Sequence, residues 1–487
     1  MLNRALLRRN YTITLMDKIF SCDGPGNKFY DLAYQPFWPP SETANSLQSS
    51  EELSSSRSSP EMTTLSNGIR IITQANSTPG QLHMNLLLGV GSRDESAETS
   101  GSLHSIKTTK YKSSLVTNET VNYGMVQMSG GTYNMDFDRE SASFSASCLD
   151  HDVVDIFSMM ADCAFEPRTL LAANVAIEKL PHSHKLAKAT NKHHDLDDIV
   201  MSNIYGYNGL GNKLLGDETN IKSLNAFVLQ KFQIENITTD KLVVSAFGVQ
   251  NHHEFVELVD MKLGGLQYYG AEKNPRELST FKEGRIVYPE NTNSTDVVIC
   301  FEGASWNSPN MVATQLMDTF LGGVEVNYYE SLFGSEGELA TSFYSKEVGV
   351  NAVEAFTQNF SDSGLFGLRL NAQAQQAPGA VSSLLKTVNS LFSNITDEQF
   401  NSAKLRLKMR ILRALDKPAI RVEELSRNVL TLNQLASSGF MKTLDEMTKQ
   451  DFSKQALQVL KGKMNLTAMG GNAENIPELS TLKKQMV

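Results

Sequence analysis

Apolar residues along this chain fall into arrangements that come round twice. Val154, Phe157 and Met160 sit at helical spacing between Asp152 and Ala164, and a second helix is expected from Arg168 to Leu180. About 225 residues later the segment Pro378 to Phe392 repeats the first of these. A further helix opens at Thr396, with Thr396 as N-cap and Gln399 completing a capping box, and runs through Leu405 to Leu415. Each half closes on a strand of alternating character that ends in glycine, Lys241 to Gly248 and Met464 to Gly470. That alternation predicts half-buried antiparallel strands. An apolar strand around Leu86 and a central strand over Ser363 to Leu368 complete the outline. Strands grouped ahead of helices, rather than strictly alternating with them, predict an α+β fold. The expectation is two homologous lobes, each an antiparallel sheet with helices mainly on one face.

A chain of 487 residues is too long for one core and implies two or more domains. Its 44 basic and 54 acidic residues leave a net charge of −10, which argues against nucleic acid as a partner and suits basic peptides. No apolar run reaches the length of a membrane span, so any membrane association is expected through partner subunits. Cys22, Cys148, Cys163 and Cys300 show no C-x-x-C spacing and read as reduced thiols rather than a disulfide framework. The opening Met1 to Tyr11 holds Arg4, Arg8 and Arg9 between apolar residues, with no acid before Asp17. This is the composition of a mitochondrial transit peptide, the plainer alternative being a basic tail. Ser46 to Pro60 is too poor in apolar surface to fold alone. Ahead of it, Phe29, Tyr30, Tyr34, Phe37 and Trp38 suggest an extended arm that docks on a neighbour.

The candidate chemistry lies in Gly101 to Ser114, which holds His104, Lys107 and Thr108 in the outline of the inverzincin signature H-x-x-E-H. Upstream stand Asn67-Gly68 and Gly91-Ser92-Arg93; downstream come Gly130-Gly131, Tyr133-Asn134 and Arg139-Glu140-Ser141. In order and spacing these pieces resemble the pitrilysin-type peptidases, specifically the mitochondrial processing peptidase subunits and the related core proteins of respiratory complex III. The resemblance holds from about residue 61 to the C-terminus. In a working member two histidines and a distal glutamate hold zinc, and the glutamate of the motif activates the metal-bound water. Here only His104 survives; Lys107 fills the glutamate slot and Thr108 the second histidine slot. The distal slot falls near Lys185 or Leu186, and Pro181 is expected to interrupt the helix that should carry it. One imidazole cannot hold catalytic zinc, and an ammonium beside it would repel the ion. The resemblance therefore implies a degenerate metallopeptidase homologue with no catalytic residues, no metal and no cofactor.

The same resemblance implies two lobes facing each other across a chamber, joined near Lys273 to Glu283. The domains expected are a presequence at 1–20, an extended leader and Ser-rich linker at 21–60, and peptidase-like lobes at 61–275 and 276–487. It also marks Gly322, Gly323, Gly334 and Gly337 as the counterpart of a presequence-contacting glycine loop, although bulky Tyr328, Tyr329 and Phe333 between them suit an ordinary connecting loop. His182, His184, His193 and His194, with Asp195, Asp197 and Asp198, match no structural zinc spacing and read as a solvated face. Gly89-x-Gly91 and Gly209-x-Gly211 lack the context of a nucleotide fingerprint. The implied role is a non-catalytic, core 2-type subunit of complex III on the matrix side of the inner mitochondrial membrane. It would pair with a beta-type core subunit and other complex III subunits. The alternative is the alpha subunit of the processing peptidase, recognising basic presequence peptides in the same kind of dimer.

Overall fold

The computed structural model describes residues 59–76, 80–111, 118–165, 180–186, 194–221, 224–266, 276–324, 337–435 and 438–485. The expected presequence, the leader aromatics Phe29 to Trp38, nearly all of the Ser-rich linker, most of the helix expected over Arg168 to Leu180, and Gly334 lie outside them.

The first lobe contains β1 (Glu61–Thr64), β2 (Arg70–Gln74), β3 (Gln81–Leu88), α1 (Ser102–Thr108), α2 (Glu119–Met128), β4 (Thr132–Phe137), β5 (Ala142–Leu149), α3 (Val153–Phe165), α4 (His194–Tyr205), α5 (Ala226–Asn236), β6 (Leu242–Phe247) and α6 (His252–Leu263). The second contains β7 (Gly284–Pro289), β8 (Ser294–Glu302), α7 (Met311–Leu321), β9 (Gly323–Val324), β10 (Val350–Asn359), β11 (Gly364–Gln373), α8 (Ala377–Ser393), α9 (Asp397–Leu415), α10 (Pro418–Leu432), α11 (Ser438–Glu446), α12 (Lys449–Leu460), β12 (Met464–Gly470) and α13 (Leu479–Gln485). The sheets are ordered β1-β2-β6-β3-β5-β4 and β7-β12-β8-β11-β10-β9. Without the edge strands β1 and β9 they share one topology, which is the internal duplication the sequence pattern suggests.

Each sheet is mixed rather than wholly antiparallel. β2 pairs parallel with β6, and β7 with β12, while every other pairing is antiparallel. The reason is topological. β2 and β3 run in opposite directions, so the last strand of the lobe, inserted between them, must be parallel to one of them. Helix starts follow local chemistry closely. Thr396 Oγ1 accepts from the Gln399 amide at 3.2 Å, and the Gln399 side chain accepts from the Thr396 amide at 3.1 Å, so the expected capping box opens α9.

The closing strands differ from expectation in a way that defines the architecture. β6 and β12 are buried on both faces. On β6, Leu242, Val244 and Ala246 enter the core of their own lobe. Val243, with Ile72 of β2, packs instead against Val429 of α10, a helix of the other lobe. At the same crossing Ser245 Oγ donates to the Val422 carbonyl at 3.0 Å and meets Ser426 Oγ. The exchange is reciprocal. In the second lobe Val297, Ile299 and Phe301 of β8 face their own helices, while Val298 and Cys300 pack on Leu196, Val200, Met201 and Ile204 of α4. Each lobe thus lends one helix to the outer face of the other's sheet. Burying each such side chain stabilises by about 1.5–3 kcal/mol. The two lobes of this chain therefore meet directly, where the resemblance implied a chamber between them.

A buried ionic clasp fastens the same junction. Arg93 reaches Glu140 at 2.6 Å, Asp362 of the second lobe at 2.6 Å, and the carbonyl of Glu277 in the connecting segment at 2.7 Å. Arg276, also in that segment, makes a fork with Asp94 at 2.7 and 2.8 Å. Burial by itself would lower the Arg93 pKa, but the hydrogen bonds and charges of Asp362 and Glu140 outweigh it and raise it. Burial likewise opposes ionisation of Asp362, yet Arg93 and the Ser279 amide hold its carboxyl below the usual range.

Candidate functional site

The degenerate motif is presented by α1, a short helix whose start is set by a buried carboxylate. Glu95 accepts from the Gly101 amide through one oxygen and from the Leu103 amide through the other, both at 2.9 Å. Two backbone donors that a helix start leaves unpaired are satisfied by one side chain. Glu95 is buried, and that desolvation pushes its carboxyl up to about 8 against the pull of its hydrogen bonds. Asn212 holds the loop beneath by donating to the carbonyls of Ser92 and Glu95 at 2.9 and 2.8 Å.

On α1 the three motif residues part company. His104 is buried, at 4% exposure. Its ring lies edge-on to that of His184, centroids 6.2 Å apart and planes at 74°. Thr108 turns its hydroxyl back to the His104 carbonyl at 2.8 Å and lies 3.4 Å from Ser183 Oγ. Lys107 points away, to Asp136 of β4 at 2.6 Å, with its ammonium 5.8 Å from the Phe137 ring centroid. Its charge is thus neutralised at the surface, so repulsion of an ion by a free ammonium is not what disables the site. What is lost is the base itself, because no carboxylate occupies that turn of α1.

The distal slot also differs from expectation. Residues 180–186 are helical, with Pro181 in the first described turn, where a missing amide donor is tolerated. This segment turns Ser183 and His184 toward α1, while Lys185 and Leu186 are exposed. His184, assigned to a solvated face from sequence, is 3% exposed. Asp197 and Asp198 also leave that face: Asp198 binds Arg139 at 2.7 Å and Asp197 pairs with Arg369 on β11. His193 lies outside the described residues.

Zinc, which the resemblance makes the natural occupant, does not fit the donors present. Catalytic zinc takes three protein ligands and an open position for water. The walls here supply two imidazoles and two hydroxyls, and no group of three or more His, Cys, Asp or Glu side chains among the described residues could hold a metal ion. The arrangement is that of a packed polar joint between two helices.

The glycine-rich segment has a structural use of its own. Gly322 ends α7 with φ of 61°, and Gly337, where the described chain resumes, has φ of 129°. A Cβ on Gly337 would stand 2.2 Å from the Leu321 carbonyl oxygen and 2.6 Å from Gly322 Cα. A Cβ on Gly323 would stand 2.7 Å from Cα of Glu354. These glycines let the two ends of the loop close on each other and on β10, a requirement that needs no bound peptide.

Two family descriptions match the chain. Residues 70–218 match Insulinase (Peptidase family M16), and residues 223–407 match Peptidase M16 inactive domain. Relatives of both subunit types align along most of their length. A probable mitochondrial-processing peptidase subunit beta from Arabidopsis thaliana is 23% identical over 97% of this chain and 88% of its own. The mitochondrial-processing peptidase subunit alpha of Solanum tuberosum is 25% identical over 84% of this chain and 82% of its own. Among solved structures, a chain of complex III2 from Candida albicans, Inz-5 bound, has the same fold. Its TM-score is 0.74 at 18% identity, covering 88% of this chain and 99% of that one.

Proposed function

The chain belongs to peptidase family M16, and from that premise we propose that it is a non-catalytic, core 2-type subunit of mitochondrial ubiquinol–cytochrome c reductase. In this reading it pairs with a beta-type core subunit, contacts other complex III subunits, and sits on the matrix side of the inner membrane. The observation that carries the proposal is a preserved frame with altered chemistry. α1 keeps its place and its buried cap, yet offers Lys107 to Asp136 and Thr108 to Ser183 instead of a base and a ligand. A subunit whose fold is kept while its donors are replaced serves assembly rather than hydrolysis. The two-lobed likeness to a complex III2 chain, extending over 99% of that chain, supports the same role. Among the described residues no helix is long and apolar enough to cross a membrane.

Gentle solubilisation of mitochondrial membranes followed by native separation tests this directly. Comigration with ubiquinol–cytochrome c reductase is the expected result. A small soluble heterodimer would favour the second reading, an alpha-type processing-peptidase subunit that recognises basic presequences, which the potato relative supports.

Metal content is a separate test of the non-catalytic half of the proposal. The purified chain is expected to hold well under one zinc per molecule, and Lys107→Glu with Thr108→His is expected to give no peptidase activity, because no glutamate occupies the distal slot. Tight one-to-one zinc in the unaltered protein would sink it.

A further inference from the structure

α9 buries only Phe400, Ala403 and Leu407 against its lobe. Another face of the same helix carries Leu405, Met409 and Leu412, at 62%, 49% and 45% exposure, and Ile420 of α10 continues it at 38%. The spacing of i, i+4 and i+7 makes one apolar stripe of these residues. Of these, Leu405, Met409 and Ile420 line a groove of about 960 Å³, together with Arg406, Arg410, Arg413, Lys417 and one acid, Glu398. From Gln399 to Leu415 the chain has five basic residues (Lys404, Arg406, Lys408, Arg410 and Arg413) and no acid, within a protein of net charge −10.

These cations are poorly matched inside the chain. Lys408 is paired with Asp445, and Arg410 approaches Asp318 only at 3.3 Å with half its side chain exposed. Among the described residues Arg406, Arg413 and Lys417 make no ion pair, and the buried Nε of Arg406 has no hydrogen-bond partner. We infer that this groove docks an acidic amphipathic helix of a different polypeptide, its apolar face on Leu405, Met409 and Ile420 and its carboxylates on Arg406, Arg413 and Lys417.

Charge complementarity selects the acid, and the apolar stripe selects a helix-in-groove mode of binding. Three of the four cations lining the groove are arginines, whose planar fork suits carboxylates. A lipid surface fits less well, because the feature is concave and no tryptophan or tyrosine lines it. The inference does not depend on which assembly the chain joins.

Photo-crosslinking from position 409 of the full chain in intact mitochondria tests it, with the captured peptide sequenced. The expected product is a segment of another polypeptide with net negative charge and apolar residues at helical spacing. Its yield should fall on the order of tenfold with Arg406→Glu and Arg413→Glu together, and recover when acidic residues of the captured segment are changed to lysine. Unchanged thermal melting of the variants serves as the folding control. Should the double variant fail it, Leu405→Glu with the crosslinker still at 409 provides the same readout. Capture of the chain's own residues 1–58, capture of lipid, no capture, or capture indifferent to these substitutions would each overturn the inference.

Discussion

Replacing Arg93 with alanine is expected to lower the unfolding free energy by about 3–5 kcal/mol, the range for removing one partner of a buried ionic cluster. Arg93 has 3% of its side chain exposed, and it bridges Glu140 of the first lobe and Asp362 of the second. Without it two carboxylates stay buried with less compensation, and Arg276, 3.9 Å from Glu140, is too distant to replace a fork made at 2.6 to 2.9 Å. The deficit should therefore shrink when Asp362→Asn is added to Arg93→Ala, since one stranded charge is then gone. Arg93→Lys should lie between wild type and alanine, because an ammonium cannot reproduce the paired contacts. Urea unfolding followed by tryptophan fluorescence and by far-ultraviolet circular dichroism gives the comparison. Coincident curves in wild type and separated curves in the alanine variant would show that the clasp couples the lobes. A loss below about 1 kcal/mol would instead place Arg93 among ordinary surface pairs.

Arg93 also shows what could be read from sequence and what could not. Gly91-Ser92-Arg93 and Arg139-Glu140-Ser141 stand out as pieces of a family pattern, but nothing in their spacing says that they touch. Asp362, which completes the clasp, lies in the other lobe and leaves no local trace at all. Local rules did well where the cause is local. The Thr396–Gln399 box needs four consecutive residues, and α9 begins where it directs. Alternation on Lys241 to Gly248 locates β6 but gives the wrong degree of burial, because the second face is covered by α10 from far along the chain. A strand's own sequence records which residues are apolar, not whose helix will cover them.

The candidate site divides along the same line. That Lys107 and Thr108 replace a base and a ligand is evident from identity alone. Their actual partners, Asp136 and Ser183, depend on how β4 and the 180–186 segment come to rest beside α1. His184 was the most misleading residue. Its neighbours His182 and Lys185 are exposed, so the local composition is that of a solvated face, yet its ring is packed on His104.

Stability of the first lobe is expected to decline as pH rises from about 5 to about 8, with Glu95 as the responsible group. Its carboxyl, ordinarily near 4.5, is pushed up to about 8 by burial, and the neighbouring charge of Asp94 adds to the effect. The folded state therefore binds a proton that the unfolded chain has already lost across this window. Linkage makes the contribution full below the unfolded pKa and removes it as pH climbs through the folded one. The slope approaches 1.4 kcal/mol per pH unit at most, or about 3 kcal/mol between pH 6 and pH 9. Glu95→Gln should abolish most of that slope. Its amide keeps one acceptor oxygen but turns an NH2 toward the other backbone donor, so at pH 6 the variant should be less stable by about 1 kcal/mol. Near pH 9 the order should reverse, because the wild type then carries a buried charge that the amide lacks. Urea titrations of both proteins across this range supply the global comparison. Hydrogen exchange at the Gly101 and Leu103 amides supplies the local one, since these are the bonds that start the helix bearing His104, Lys107 and Thr108. Parallel pH profiles for the two proteins would mean that Glu95 remains ionised in its buried site and that the stability of α1 has another source.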